Sequence, residues 1–235
     1  MSGARPGGRS GRSERGPAAR SAASTRPEGN TGPDRGSGPD WEAGLGPAGN
    51  GRPRRPTKAD LQAAYGQAIP DTVGPALRVL FCGINPSLWS GWSGHHFARP
   101  GNRFWPALHR SGFTPRQLDP SEADEMLELG LGVTNLVNRA TARADELTPA
   151  ELLAGGERLV RTVREWRPSW LAVVGVTAYR LAFGRKDARI GPQGEDPLFA
   201  PTRVWVLPNP SGLNAHYDLP ALAAEFRQLK DAAES

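Results

Sequence analysis

The chain has 235 residues with 29 basic and 24 acidic side chains, a formal net charge of +5. Its length allows one large domain or two small ones. The single cysteine excludes an intramolecular disulfide, a four-cysteine zinc site and a four-cysteine iron–sulfur cluster. No stretch approaches the roughly 20 apolar residues of a membrane span. We therefore expect a protein of the reducing cytoplasm with no membrane partner.

The first quarter of the chain differs in composition from the rest. Residues 1–58 hold 13 Gly, 8 Pro and 11 basic against 5 acidic side chains, a net charge of +6, which leaves −1 for residues 59–235. Such a segment cannot bury enough apolar surface to offset the entropy of ordering it. We predict a disordered basic tail over residues 1–57 and a folded domain over residues 58–235. The tail either raises the local nucleic-acid concentration through counterion release or is a solubilising extension.

The folded part shows helix and strand patterns in alternation. In its first half we predict a helix that Thr57 caps and Pro70 ends, a strand over Arg78–Cys82, a loop from Ile84 to Pro100, helices over Asn102–Arg110 and Ser121–Leu129, and a strand over Gly132–Val137. In its second half we predict a helix over Pro149–Trp166, a strand over Trp170–Val174, a helix over Thr177–Phe183, a strand over Arg203–Leu207 and a terminal helix from Leu219 to Ala233.

The clearest helix pattern lies between Thr148, a suitable N-cap, and Pro168. Its apolar stripe leaves three arginines on the outward face, Arg158, Arg161 and Arg164. The strands are continuously apolar, which is typical of strands that are buried on both faces. We therefore predict an α/β fold of three α/β/α layers with a central, mostly parallel sheet.

Two predicted strands run directly into unusual loops. The first loop reads Gly-Ile-Asn-Pro-Ser over residues 83–87, and the second reads Pro-Asn-Pro-Ser-Gly-Leu-Asn over residues 208–214. Either loop alone is an ordinary turn signal. Because ligands of open parallel sheets bind beyond the carboxyl ends of the strands, the two together indicate a functional site.

Five blocks of the sequence, in order, resemble the mismatch-specific uracil-DNA glycosylases and their thymine-DNA glycosylase relatives. The blocks are Val79–Pro86, Phe97–Trp105, Gly132–Val137, Leu153–Gly156 and Trp205–Leu213. The resemblance covers roughly residues 77–229. It implies a uracil-DNA glycosylase-like fold and a monomeric enzyme of base excision repair that needs no metal or cofactor. It also implies double-stranded DNA with a uracil or thymine-like mismatch as the partner, and association with the nucleoid if the source is bacterial.

The resemblance assigns the catalytic role to Asn85. Its amide oxygen would orient the water that attacks the deoxyribose, although an amide is no general base at neutral pH. We therefore expect a slow enzyme whose rate comes mainly from stabilising the departing base anion. No lysine fits the family pattern for a Schiff base, so strand cleavage is not expected.

The same comparison assigns a base pocket to residues of both loops. Phe97 would stack on the flipped base. The alternative interpretation is that Phe97 is an ordinary phenylalanine of the core. Main-chain N–H groups near Ile84 would contact the base carbonyls. Asn209 takes the place of a catalytic histidine in other uracil-DNA glycosylase groups. Many relatives have glycine where this chain has Ser87, which keeps open a broader enzyme for ethenocytosine, hypoxanthine or thymine.

The segment from Ser211 to Asn214 is predicted to enter the DNA. Leu213 would fill the gap left by the flipped base, with Gly212 allowing close approach and Asn214 beside the orphaned base. Because the domain is near neutral, phosphate contacts would depend on local groups such as Arg99 and Arg103. A non-catalytic mismatch-binding module is the remaining alternative, which Asn85 disfavours.

The aromatic and imidazole groups of the first loop leave further interpretations open. Trp89 and Trp92 either cover the pocket or DNA, or pack on the sheet. His95 and His96 are adjacent, but without a Cys or carboxylate at ligand spacing they make a poor metal site. His216 either contacts a phosphate or is merely solvated.

Overall fold

The computed structural model describes residues 54–235, and most of the predicted tail therefore lies outside the described residues. These residues form five strands and seven α-helices. The strands are β1 (Val79–Gly83), β2 (Leu131–Asn135), β3 (Trp170–Val174), β4 (Gly191–Pro192) and β5 (Arg203–Leu207). The helices are α1 (Lys58–Ala63), α2 (Leu88–Ser93), α3 (Phe104–Arg110), α4 (Glu125–Glu128), α5 (Pro149–Trp166), α6 (Val176–Phe183) and α7 (Leu219–Glu234).

The strands form one sheet in the order β2-β1-β3-β5-β4. All neighbours are parallel except β4, which pairs antiparallel with β5. The mostly parallel sheet is therefore confirmed, while β4 was not predicted because a two-residue Gly-Pro segment carries no strand pattern. In the β1–β2 register, Gly83 lies beside Asn135 at the carboxyl ends of both strands.

Alternate residues of β1 face the two apolar layers. Val79 and Phe81 belong to a core shared with α3 and α7, whereas Leu80 and Cys82 belong to the core under α5 and α6. Phe81 packs edge-on against Phe104 of α3, with ring centroids 5.5 Å apart. The predicted three-layer α/β/α fold is confirmed.

Helix α5 has the predicted bounds. Thr148 caps it, and Glu151 completes a reciprocal capping box with the Thr148 main chain. The prediction was wrong for Arg158, which does not face solvent like Arg161 and Arg164. Its guanidinium donates to Asp71 at 2.9 Å and to the main-chain oxygen of Asn135 below the sheet edge. The carboxylate of Asp71, which is distant in the sequence, thus draws Arg158 away from the solvent-facing position that the helix pattern predicted.

The segment from Ile84 to Pro100, predicted as a loop, is more ordered than expected. Helix α2 lies inside it, capped by the Ser87 side chain and ended by Gly94 in the left-handed region. Its composition of Trp, Ser and Gly gives little helix signal. Trp89 and Trp92 pack edge-on against each other, 6.1 Å apart, and against buried Ala98. They belong to neither of the two apolar clusters on the sheet and both stay partly exposed, so packing on the sheet is not observed and a contact with the pocket or DNA stays a prediction.

The predicted helix over residues 121–129 is also interrupted. It consists of a 3₁₀ turn at Pro120–Glu122 followed by the single turn of α4. Helix α3 begins two residues later than predicted, because the Asn102 side chain accepts a hydrogen bond from the Phe104 N–H at 2.9 Å. Among residues 54–235, no helix is long and apolar enough to cross a membrane.

Candidate active site

The carboxyl ends of four parallel strands surround a cavity of ≈ 650 Å³. The cavity brings together the residues that follow β1, β3 and β5 with the last residue of β2, although they are far apart in the chain. Of the predicted site residues, the cavity is lined by Ile84, Asn85, Ser87, Phe97, Asn209, Ser211, Leu213 and Asn214. Gly212 lies in the same loop as the last four of these.

The Asn85 amide has a fixed orientation. Its nitrogen donates to the main-chain oxygens of Pro86 at 3.1 Å and Arg139 at 2.9 Å, and to the Thr141 hydroxyl at 2.8 Å. Since a carbonyl can only accept, the nitrogen must face these groups. The Asn85 oxygen therefore points away from them, and no donor from residues 54–235 contacts it. The cavity gains a hydrogen-bond acceptor that is held in place.

The Phe97 ring lies across the end of β1. One of its faces stacks on the Phe104 ring, with centroids 4.0 Å apart and planes 17° apart. The side chain is only partly buried and lines the cavity. Phe97 thus combines both interpretations of the sequence, since it packs on the core and still presents aromatic surface to the cavity.

Gly83 leaves the space that this arrangement needs. A Cβ at Gly83 would lie 2.6 Å from Asn135 Oδ1 and 3.2 Å from Phe97 Cζ. A methyl group on residue 83 would therefore force Asn135 to move and would crowd the Phe97 ring. The glycine at the end of β1 is therefore required by close approach at the cavity floor.

Asn209 contributes a donor to the cavity from the second loop. Its Oδ1 accepts from the Ser211 N–H at 2.9 Å, which forms a tight turn. The Asn209 nitrogen has no acceptor among residues 54–235 and is free to donate. The cavity therefore carries an amide acceptor from the first loop and an amide donor from the second.

The family model of the uracil DNA glycosylase superfamily matches residues 70–232, more than two thirds of the chain. The chain belongs to this superfamily. Membership supports an activity of the uracil-DNA glycosylase type, in which a hydrolase of DNA repair acts on DNA. The match contains every strand of the sheet and both loops that line the cavity.

In this member of the uracil DNA glycosylase superfamily, Arg103, the residue before α3, holds the second loop. Its guanidinium donates to the main-chain oxygens of Tyr217, Ser211 and Asn214, the last at 3.0 Å. Its main-chain N–H also donates to Pro210 O at 3.0 Å. The predicted phosphate contact is therefore wrong for Arg103, whose side chain turns inward, whereas Arg99 stays exposed at the cavity.

The loop that Arg103 holds is also bonded within itself. The Asn214 amide donates to Asn209 O at 2.9 Å and accepts from the His216 N–H at 3.1 Å. The Asn214 side chain thus stabilises the loop. A Cβ at Gly212 would lie 2.7 Å from Gly101 O, so this glycine permits close approach between the two loops.

Leu213 lies at the tip of the held loop. Its side chain is 75% exposed, the largest exposure among the large apolar side chains of residues 54–235. A single exposed leucine is ordinary at a protein surface, and it is the position of Leu213 in the loop held by Arg103 that makes it available to a partner. His216 is exposed nearby and has no contact that favours either of its interpretations.

Ser87 uses its hydroxyl at the start of α2. The oxygen accepts from the Ser90 N–H at 3.2 Å and lies 3.2 Å from the Ser90 hydroxyl. The side chain that departs from the family pattern is therefore a helix cap that borders the cavity. Its bond to Ser90 directs it along α2.

Sequence reasoning missed three polar residues of the site. Asn135 lines the cavity floor, and Arg139 and Thr141 hold the Asn85 amide. Asn135 could have been found, because it ends a predicted strand at the edge where ligands bind. Arg139 acts through its main-chain oxygen, which leaves no signal in the residue type. No cluster of three or more His, Cys, Asp or Glu suited to a metal occurs within residues 54–235.

Proposed function

We propose that this chain is a monofunctional uracil-DNA glycosylase that flips uracil out of DNA, preferentially from G·U mismatches, and leaves an abasic site. The observation that carries the proposal is the fixed Asn85 amide in the cavity lining, whose nitrogen is held by three acceptors while its oxygen has no donor among residues 54–235. A cavity that only bound a base would not need an oriented acceptor beside the aromatic surface of Phe97.

The reaction breaks the N-glycosidic bond as the sugar gains oxocarbenium character. Asn85 Oδ1 accepts a hydrogen bond from a water and directs its lone pair at the sugar carbon. The amide does not remove the proton, so the water attacks late, when the bond to the base is largely broken. Asn85 therefore contributes by positioning, an effect that depends on the rigidity of its three contacts.

The departing base takes the electron pair of the broken bond as an anion. Donors placed where this charge develops lower the barrier, since they are already oriented when the charge appears. The free Asn209 nitrogen is one such donor, because the Ser211 N–H fixes the other end of its amide. Main-chain N–H groups near Ile84 are the second set that we propose. Phe97 stacks on the base and limits its movement.

Extrusion of the base leaves a gap in the duplex. We assign Leu213 to that gap, because it is exposed at the tip of a loop that Arg103 holds. Apolar side chains inserted between base steps offset part of the cost of unstacking. Gly212 N–H, Gly212 O and Leu213 O have no hydrogen-bond partner among residues 54–235, whereas Ser211 and Asn214 are bonded inward. We assign these three main-chain groups to the orphaned base, and contacts to guanine there would give the preference for G·U.

A broader enzyme for thymine, hypoxanthine or ethenocytosine is the second candidate. The observation in its favour is the hydrogen bonding of the Ser87 side chain. Its hydroxyl bonds to Ser90 in α2 and not to a group across the cavity. A hydroxyl held in this way adds little restriction on bases larger than uracil.

Base release from DNA duplexes tests the proposal. Duplexes carrying uracil, thymine, hypoxanthine or ethenocytosine opposite each normal base are incubated with the full chain, and alkali reveals abasic sites on a gel. We expect the fastest release from G·U. Faster release of another base would favour the second candidate, and binding without any release would leave a mismatch-binding module.

The Asn85→Ala variant tests the assigned role. It should bind a G·U duplex like the wild type and lose base release by at least about 100-fold, in line with removal of a positioning group. Thr177→Ala is the matched control, since Thr177 lines the same cavity but is exposed. Release by Asn85→Ala at the wild-type rate would refute the role of Asn85.

A further inference from the structure

His96 lies behind the cavity and is buried, with only 2% of its surface exposed. Its Nε2 is 2.9 Å from the main-chain oxygen of Pro70, and its Nδ1 is 3.2 Å from Nδ2 of Asn135. Since the Pro70 oxygen can only accept, Nε2 must carry a proton. In a neutral ring Nδ1 is then an acceptor, and the Asn135 nitrogen donates to it.

This chain of two hydrogen bonds fixes the Asn135 amide. With its nitrogen on His96, Asn135 presents Oδ1 in the space beside Gly83, where a Cβ would lie only 2.6 Å away. Asn135 lines the cavity floor, next to the aromatic surface of Phe97. The floor of the cavity therefore offers an acceptor as long as His96 is neutral.

The backbone of Asn135 has little freedom to change this arrangement. Arg158 donates to Asn135 O and to the Thr134 hydroxyl, and it pairs with Asp71 at 2.9 Å. Thr134 in turn donates to Asp71 at 2.7 Å. A change of partner at His96 can therefore be met most easily by rotation of the Asn135 amide about its last side-chain bond.

We propose that His96 is a positioning residue that sets which end of the Asn135 amide faces a flipped base, and thereby makes the pocket selective for bases with a ring N–H on the edge that is read. The inference rests on the proposed function. Glycosylases of this kind read the Watson–Crick edge of the flipped base. Uracil, thymine and hypoxanthine carry a ring N–H there, whereas the bridge of 3,N4-ethenocytosine removes every N–H from that edge.

Protonation of His96 reverses the arrangement. A ring that is protonated on both nitrogens sets its Nδ1–H against the Asn135 nitrogen, and rotation of the amide by about 180° restores a hydrogen bond. The oxygen then binds His96, and the nitrogen faces the cavity as a donor. In this form the pocket disfavours a ring N–H and tolerates a base without one.

Some of the groups around His96 raise its pKa and others lower it. Burial lowers the pKa of His96 below its usual range, and the charges of neighbouring His95 and of Arg158 on α5 lower it further. The bond to Pro70 O and the carboxylate of Asp71 raise the pKa. Because burial is the largest of these effects, the neutral form and the outward-facing oxygen dominate at neutral pH.

Single-turnover release of uracil and of ethenocytosine opposite guanine, measured from about pH 5 to pH 8, tests the inference in the pH range where histidine titrates. Release of uracil should fall by about tenfold per pH unit on the acid side of the His96 pKa, while release of ethenocytosine should not fall with it. The ratio of the two rates is the readout. A ratio that stays constant across the pH range in which the nitrogen-15 signals of His96 show its protonation would overturn the inference.

The His96→Asn variant removes the titration and keeps a side-chain amide near the position of Nδ1. Its uracil-to-ethenocytosine ratio should no longer change with pH. His95→Asn is the matched control, because His95 is adjacent and half-buried and makes no side-chain hydrogen bond in the described part of the chain. Its ratio should follow pH like the wild type. A pH-dependent ratio that persists in His96→Asn would contradict the role of His96.

Nitrogen-15 NMR of the histidine rings provides a readout without DNA or activity. The His96 ring of the free wild-type chain should be the neutral tautomer with its proton on Nε2. The opposite tautomer would overturn the inference even if uracil is released. If no base is released, the proposed function fails while the NMR result still decides the orientation that His96 imposes.

Discussion

Arg103 and Asn214 belong to different loops, yet the Arg103 guanidinium donates to the Asn214 main-chain oxygen at 3.0 Å. The same guanidinium holds Ser211 and Tyr217, so one side chain spans the loop that carries Leu213. A planar fork with several donors suits three carbonyls that lie in different directions. The geometry of the second loop is thus set by the residue that precedes α3.

Arg103→Lys should weaken this link, because a lysine ammonium is a point charge that cannot reach all three oxygens. We expect release of uracil from duplex DNA to fall by about 10- to 100-fold, or about 1.4 to 2.8 kcal/mol, with a much smaller loss on single-stranded DNA. Arg99→Lys, an exposed change at the same cavity, is the control. Equal losses on both substrates would show that Arg103 does not act through the loop.

Gly83→Ala should disturb the floor of the cavity. The new methyl group would lie 2.6 Å from Asn135 Oδ1 and 3.2 Å from the Phe97 ring, so one of them must move. We expect a loss of about 1 to 3 kcal/mol in the free energy of unfolding, measured in urea, and slower release from both duplex and single-stranded DNA. Gly194→Ala, where a Cβ meets no atom within 4 Å, should be close to neutral. A fully active and stable Gly83→Ala variant would contradict the close approach.

Leu213→Ala should separate binding from stability. Because Leu213 is 75% exposed, its truncation should change the free energy of unfolding by less than about 0.5 kcal/mol. Release of uracil from duplex DNA should slow, while release from single strands stays near the wild-type rate, since no gap needs filling there. A similar loss on both substrates would argue against insertion of Leu213 into the duplex.

The elements that depend on local pattern were predictable from the sequence. The bounds of α5 were correct because a capping threonine and an apolar stripe coincide, and the strands followed from their continuous apolar runs. Helix α2 was missed because its stability comes from the Ser87 cap and the packing of Trp89 rather than from helix propensity. These contacts lie within a few residues of α2, but the Trp, Ser and Gly residues there form no apolar period that would indicate a helix.

The residues of the candidate site were likewise predictable only in part. Asn85 and Asn209 were placed by their loops at strand ends, which is a rule of the fold. The groups that hold the Asn85 amide and the second loop were not predictable, because Arg139 acts through its main chain and Arg103 was expected to contact DNA. Which partner a guanidinium takes depends on the folded neighbourhood and not on residue type.

Acid should weaken the ion pair between Glu151 and Arg139, which supports the site. Glu151 accepts a hydrogen bond from the Arg139 side chain at 2.7 Å and further bonds from the Thr148 N–H and hydroxyl. The contact with Arg139, followed by those with Thr148, lowers the pKa of Glu151 from 4.5 to about 2. A lowered pKa contributes stability that is fully present above pH 4.5 and is lost as pH falls through about 2. Arg139 O also holds the Asn85 amide, so this stability belongs to a segment of the site.

Glu151→Gln tests this support through the pH dependence of the melting temperature. The variant should be less stable than the wild type at neutral pH, and the difference should shrink as the pH is lowered below 4.5. Glu157→Gln is a suitable control, since Glu157 lies on the exposed side of α5. A difference that stays constant down to acid pH would show that the Glu151 carboxylate is not the group that titrates.

The amides that face the cavity are also protected from chemical ageing. Deamidation of asparagine begins when the main-chain nitrogen of the next residue attacks the side-chain carbonyl and forms a succinimide. Asn85 and Asn209 are each followed by proline, which has no N–H to take part. The nitrogen after Asn135 is occupied, since Leu136 N–H donates to Gly83 O at 2.8 Å. The three asparagines to which we assign the positioning of water and base are therefore shielded from slow conversion to carboxylates, whose charge would repel a departing anion.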